Sequence, residues 1–337
     1  MLRRTLVLCT MALAIGSIDP APRGPAARPF TSGLGIPTAA AAPVAGALEF
    51  GDAFWKRWGD GKAELAGYDL TFARYGALRK GVAVSIFVTE TFSNSLRVKS
   101  DPGKHPATDE FPAMKLNLVE DFATGIYDYN LMTSAFVALA SVNGRPAGST
   151  TKVSFSSQEW CGNVYAQALF DAGSARVTSH SYFDGEADQQ RTLDCPPGAL
   201  AADALPLWAR GFAAPALAPG EKRTVDLFGS LRTARLTHRP LEGGRVTLAR
   251  AAAATRVTVP AGTFAVERRT AAIEGGLSWT FDVEAAEPHR IVQWESSEGE
   301  KAQLLASDRL QYWAMHDPGG EAALAKLGLK PRPMRTP

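Results

Sequence analysis

From about Arg245 to Trp313 the chain repeats one device: apolar residues at every second position, broken by short turn-forming stretches. Val246 and Leu248, Val257 and Val259, Phe264 and Val266, Trp279, Phe281 and Val283, and Val292 and Trp294 all alternate with polar neighbours. A period of two places each set on one face of a pleated strand. Gly243-Gly244, Pro260-Ala261-Gly262, Gly275-Gly276, Glu287-Pro288 and Glu298-Gly299 fall between the runs, where turns are needed. The spacing predicts an antiparallel meander. No activity follows from it.

The preceding stretch extends the same pattern. A short helix is expected at Phe50 to Trp58, where Phe50, Phe54 and Trp58 share one face and Gly59-Asp60-Gly61 ends it. Strands follow at 64–74, 82–92, 114–118, 126–142, 153–165, 175–183 and 190–195, with a long polar loop from Ser93 to Pro112. Between Gly198 and Phe212 the chain turns Ala- and Leu-rich, which predicts a helix that Pro206 can split. Strand character resumes over Val225 to Leu236, and a short helix is expected around Glu321 to Leu327. The expected fold is mainly β: curved antiparallel sheets, a half-barrel or sandwich-like meander, with a few short helices.

The chain opens like an exported protein. Arg3 and Arg4 precede a short apolar run, Leu6 to Ile15, followed by small residues. That run is too short to span a bilayer as an anchor. From Pro20 to Ala47 the chain is Pro-, Ala- and Gly-rich and nearly uncharged, the composition of a tether. The expected organisation is a signal-like segment (1–17), a leader (18–47), a first β module (48–197), a helix with a second β module (198–317), and a short helix with a tail (318–337). The expected location is the periplasm, the outer envelope or the medium, with no transmembrane span in the mature chain.

Composition excludes one class of partner. The chain has 36 basic and 34 acidic residues and no dense Lys/Arg block. Nucleic-acid binding requires a concentrated basic face, so it is set aside.

Candidate chemistry is sparse. After removal of the leader two cysteines remain, Cys161 and Cys195, and in an oxidising compartment the pair is expected to form a disulfide. Such a bridge would stabilise the fold by about 3–4 kcal/mol in the chain-entropy picture. The rival use of Cys161 is as a nucleophile with His180 as its base. Ser149-Thr150-Thr151-Lys152 imitates an S-x-x-K motif but lacks the helix and partner motifs that chemistry requires. Asp184, Glu186 and Asp188 place three carboxylates at alternate positions of a loop, a Ca²⁺ candidate that departs from the EF-hand pattern. Carboxylates adjacent on a strand, such as Glu120-Asp121, face opposite ways and cannot flank one bond. The five histidines are scattered and form no zinc pattern, so no metal and no cofactor is expected. Tyr127 and Tyr129 share a strand face and can line a cavity; with Glu159 and Trp160 they are the ligand-binding candidates.

From about Asp203 onward the order of elements resembles an uncharacterised family of bacterial envelope β domains. The resemblance rests on Leu205-Pro206-Leu207-Trp208, the strand Lys222 to Phe228, and Val257-Thr258-Val259-Pro260-Ala261-Gly262-Thr263-Phe264. Leu277 to Phe281 and Pro288 to Val292 continue it. Gly125 to Asn130 and Ser157 to Gly162 are similar to long bacterial proteins of the same unknown function. Some of those carry a septum-inhibitor label, which is not carried over. The resemblance implies an envelope β fold, akin to half-barrels that shelter lipid tails, and no catalytic residue. The functional expectation is a non-catalytic exported protein whose curved sheet partly wraps the helix near Leu200 to Trp208. It would bind an apolar small molecule or an envelope partner. The alternatives are a secreted hydrolase using Cys161 or a carboxylate cluster, and a structural part of an envelope assembly.

Overall fold

The computed structural model describes residues 48–331. The signal-like segment, the leader and the end of the tail lie outside them. Helix α1 (Asp52–Trp58) precedes eight strands: β1 (Ala63–Arg74), β2 (Ala77–Ser93), β3 (Glu110–Thr124), β4 (Tyr127–Ala138), β5 (Thr150–Glu159), β6 (Gly162–Phe170), β7 (Gly173–Ser181) and β8 (Gln189–Cys195). A two-residue strand β9 (Leu200–Ala201), a 3-10 turn (Ala202–Ala204) and helix α2 (Leu205–Ala209) follow. Then come β10 (Lys222–Phe228), helix α3 (Leu231–Thr237), β11 (Gly244–Arg250), β12 (Thr255–Val259), β13 (Gly262–Ile273), β14 (Ser278–Glu284), β15 (Ile291–Ser296) and β16 (Lys301–Leu310).

All strands belong to one open sheet. Its order runs β8 to β1 as an unbroken meander, then β16, β15, β14, β13, β11, β10 and β9, with β12 paired on β13. Every pairing is antiparallel except β9 on β10. The β1–β16 ladder, from Ala63 opposite Leu310 to Thr71 opposite Lys301, fuses the two β modules into a single sheet. A sheet of this many strands must curl because each strand is twisted against the next. It curls so far that β9 and the turn after it pack on the inner faces of β4 and β5.

The concave side is filled by the chain itself. Leu200, Leu205, Leu207, Trp208 and Phe212 are buried in the main core with Phe87, Leu116, Phe155, Phe281 and Trp294 from both halves of the sheet. The expected wrapping of the 200–208 segment is thus present, but its helix is only five residues long. Pro206 lies in its first turn, where a missing N–H costs nothing, and does not split it. At Gly67, beside a bulge in the β1–β16 register, a Cβ would lie 2.2 Å from the Leu327 carbonyl oxygen, so glycine lets the C-terminal 3-10 segment (Gly320–Leu327) dock on β1.

Two local expectations are corrected. The run 153–165 is two strands, because Trp160 and Cys161 form a tight turn between β5 and β6. The run Val225–Leu236 is a strand only to Phe228. Gly229 breaks it, and Ser230 then caps α3 by accepting a 2.9 Å bond from the Thr233 amide. Among the described residues no helix is long and apolar enough to cross a membrane.

Candidate functional site

The turns after β1, β3, β5 and β7 lie on one rim of the meander, because every second connection returns to the same end. The turns between β13 and β14 and between β15 and β16 share this rim, since Thr71 near the end of β1 faces Lys301 at the start of β16. Helix α3 leaves β10 at the same end and lies across the opening. Between α3, its following loop, and the three turns at 75–78, 274–277 and 296–300 there is an open cleft of about 1030 Å³. Phe72, Leu78, Leu227, Leu236, Leu241, Ile273 and Trp279 supply its apolar wall. Below it lies a cavity of about 70 Å³, lined by Tyr68, Phe87, Leu116, Phe281 and Trp294 among others. Arg232, Thr233, Trp279 and Glu300 belong to both linings, so the cavity and the cleft adjoin at these residues.

Helix α3 carries the charges that organise this end. Arg232 and Arg235 are three residues apart and share one inward face. Arg232 donates through Nε (2.9 Å) and Nη2 (3.0 Å) to both Glu120 oxygens, and Nη2 also reaches Glu300 Oε2 at 2.6 Å. Its guanidinium stacks over Phe72, 4.8 Å from the ring centre. Burial pushes the Glu120 carboxyl up to about 7, with Arg232 opposing and Glu300 reinforcing the shift. Arg232 stays charged; burial disfavours its charge, but Glu120 and Glu300 outweigh that. Asp203 anchors the other end of the helix, accepting from Ser230 Oγ at 2.5 Å and the Leu231 amide at 2.7 Å. Burial raises its pKa as well.

Arg235 pairs with Glu159 at the end of β5 and stacks 4.0 Å over Phe183. Arg74 Nη1 donates to the Leu236 carbonyl at 2.7 Å, a cation satisfying the C-terminus of α3. Its Nη2 reaches the hydroxyls of Tyr75 and Tyr129, each at 3.2 Å, and those two hydroxyls lie 2.6 Å apart. Burial, and a bond to Glu159, push the Tyr129 phenol far up. The expected ligand-binding set is therefore brought together: Tyr127 lies 5.8 Å from Tyr129 and 6.3 Å from Trp160, ring centre to ring centre. Tyr129 nevertheless holds Arg74, and Glu159 holds Arg235 of α3, and neither lines the cleft. Tyr129 is fully buried and packs in the core.

The thiol expectations are corrected. Both cysteines are free, Cys161 exposed and Cys195 buried. Cys161 precedes the first residue of β6, whereas Cys195 pairs with Gly173, beyond the last. Nine strand residues separate the two ends, roughly 30 Å at about 3.3 Å per residue, far outside the Cα reach of a disulfide. Burial raises the Cys195 thiol to about 11. His180 is paired opposite Tyr165, four positions along β6 from Cys161, or roughly 13 Å. Its Nδ1 instead lies 3.0 Å from Asp188. Of these two, native alkylation followed by peptide mass analysis is expected to modify Cys161, with Cys195 reacting only after denaturation.

The calcium candidate also disperses. Asp184 accepts from the Gly185 amide, Glu186 from Ser181 and against His238, and Asp188 against His180. Among the described residues no three His, Cys, Asp or Glu side chains are gathered as a metal site.

The residues missed by sequence reasoning are Arg232, Arg235, Arg74, Asp203 and Glu300. One of their partners did leave a signal: Glu120 continues the buried face Met114, Leu116, Leu118 of β3, where a lone carboxylate needs a cation. Fold and site together define an open, curled β-sheet protein with a plugged interior and a helix-roofed cleft at one end. Comparison of the chain with family models, curated proteins and solved structures finds no match.

Proposed function

We propose that the chain is an exported, non-catalytic binding protein of the cell envelope that takes an apolar or amphipathic small molecule in the end cleft. The observation that carries this reading is the cleft itself: about 1030 Å³ of open space walled by Leu78, Leu241, Ile273 and Trp279, the size of a small-ligand site. Filling of the concave face by α2 and its neighbours moves the site from the sheet interior, where half-barrels shelter lipid tails, to the rim. The signal-like start and the resemblance to envelope β domains support the location. The thiol hydrolase reading loses its support with the separation of Cys161 from His180.

An uncharged apolar fluorophore, N-phenyl-1-naphthylamine, tests the reading. Its emission is expected to rise on addition of the protein. Ala234→Phe, which fills the cleft from α3, is expected to weaken binding about tenfold, the effect of roughly 1.4 kcal/mol. No rise with the native chain, or equal binding by the variant, overturns it.

A second reading, docking to an envelope partner, is favoured by one observation. Tyr75, Ile126, Trp160 and Tyr182, one on each of four successive turns of this rim, are all exposed, Ile126 at 79%. Aromatic side chains are enriched at the centres of protein interfaces.

A further inference from the structure

The cavity beneath the cleft is unbalanced in charge. Its lining holds three carboxylates, Glu120, Asp203 and Glu300, and a single guanidinium, Arg232. All four residues are buried. A medium of low dielectric penalises an uncompensated charge, and the imbalance must be met by a proton or by a further cation. Thr133 lines the same cavity, is 4% exposed, and its Oγ1 has no hydrogen-bond partner. Such a buried hydroxyl calls for a partner in the space it borders. Tyr68, Phe87, Trp279, Phe281 and Trp294 are also in its wall, and aromatic rings can attract a cation through their faces. The volume, about 70 Å³, is several times the roughly 10–15 Å³ that one water requires, so a small polar group fits.

We propose that this cavity binds the ammonium head of an alkylammonium ligand, the head lying among Glu120, Glu300 and the Thr133 hydroxyl and the alkyl chain running out into the cleft. The proposal rests on the ligand-binding reading of the cleft and names the ligand class it takes. An ammonium supplies three donors and one positive charge, which match the free acceptor capacity of the carboxylates and the Thr133 oxygen. A neutral hydroxyl head supplies one donor and no charge. An inorganic cation supplies charge but no chain to fill the apolar cleft. In the empty cavity the raised Glu120 carboxyl takes up a proton instead. The groups facing it are Arg232, Glu300 and Asp203, and entry of the ammonium displaces that proton, so binding tightens as pH rises.

The test is calorimetric titration of the whole chain with n-octylammonium chloride, 1-octanol and potassium chloride at pH 5.5 and pH 8. Octylammonium is expected to bind at least about tenfold tighter than octanol at pH 8, the worth of one charge-assisted bond, and to lose most of that advantage at pH 5.5. Thr133→Val keeps the side-chain shape, so the fold is retained; it is expected to weaken octylammonium about threefold or more and to leave octanol unchanged. Equal affinity for octanol and octylammonium overturns the proposal while leaving the apolar-cleft reading intact. Competition by potassium at equal concentration also overturns it. Failure of both octyl ligands to bind overturns the proposal and the reading together.

Discussion

Arg232→Met is expected to destabilise the protein by about 3–5 kcal/mol, because it leaves two buried carboxylates facing each other without their cation. Urea unfolding of wild type and variant measures the difference directly. Glu120 is fully buried and both of its oxygens bond to Arg232, so the variant leaves that carboxylate in the low-dielectric core with no cation. Loss of the guanidinium also removes its stacking on Phe72, but methionine retains most of the apolar stem. The cost is therefore electrostatic in the main, and a second variant checks this. Arg232→Met combined with Glu120→Leu and Glu300→Met replaces the whole charged set by apolar groups of similar size, and it is expected to recover at least half of the loss. A single-variant cost below about 1 kcal/mol, or a triple variant no better than the single one, would contradict the assignment of Arg232 as the pin between α3 and the sheet.

That pin explains why a seven-residue helix is stable at the mouth of the fold. Isolated helices of this length do not form in water. Here α3 is fixed at three points: Asp203 and Ser230 at its start, Arg232 and Arg235 along its inner face, and Arg74 at its last carbonyls. The carboxylates that receive it come from β3, β5 and the β15–β16 turn, so the same helix ties both modules of the sheet together. Thr233, Ala234 and Leu236 of α3 line the cleft directly.

The strand pattern was legible because it depends on local periodicity alone. Val246 and Leu248 face inward and are fully buried, as are Leu70 and Phe72 at the other module's end of the ladder. The continuity of the two modules was not legible, because the Ala63–Leu310 pairing joins residues nearly 250 positions apart and no local period encodes it. Helix α3 was hidden for a different reason. Val225 and Leu227 alternate, Leu231 and Arg235 then follow a helical spacing, and the change of period is too short to register without the Ser230 cap. The aromatic cluster of Tyr127, Tyr129 and Trp160 was visible in sequence because aromatic density is, whereas which of them is buried depends on the fold. Burial of Tyr129 against Phe122, ring centres 5.0 Å apart, makes it a wall of the core and an anchor for Arg74. The disulfide failed because pairing two remaining cysteines assumes nothing about strand register, and register places them at opposite ends of β6.

Stability is expected to fall as pH rises from 5 to 8, the reverse of the usual behaviour of a carboxylate held in an ion pair. The folded Glu120 carboxyl titrates near 7 against 4.5 when free. Between those values the folded state binds more protons than the unfolded one, so stability declines with increasing pH. The contribution is complete below about pH 4.5 and is lost as pH passes through 7, amounting to about 3 kcal/mol at 1.36 kcal/mol per unit. Asp203 is shifted in the same direction by burial. Glu64 works in the opposite sense: burial raises it, but Arg210 and Arg57 outweigh burial and hold it below its ordinary value. Its stabilisation is present above about pH 4.5 and is lost only as pH falls through the depressed value, so it leaves the window from 5 to 8 untouched. Urea midpoints across that window read the slope, and Glu120→Gln is expected to remove most of it, since the amide cannot ionise. A wild-type curve that is flat or rises from pH 5 to 8, or a variant that keeps the full slope, would show that Glu120 is ionised throughout. The cation imbalance beneath the cleft would then be met by some other group.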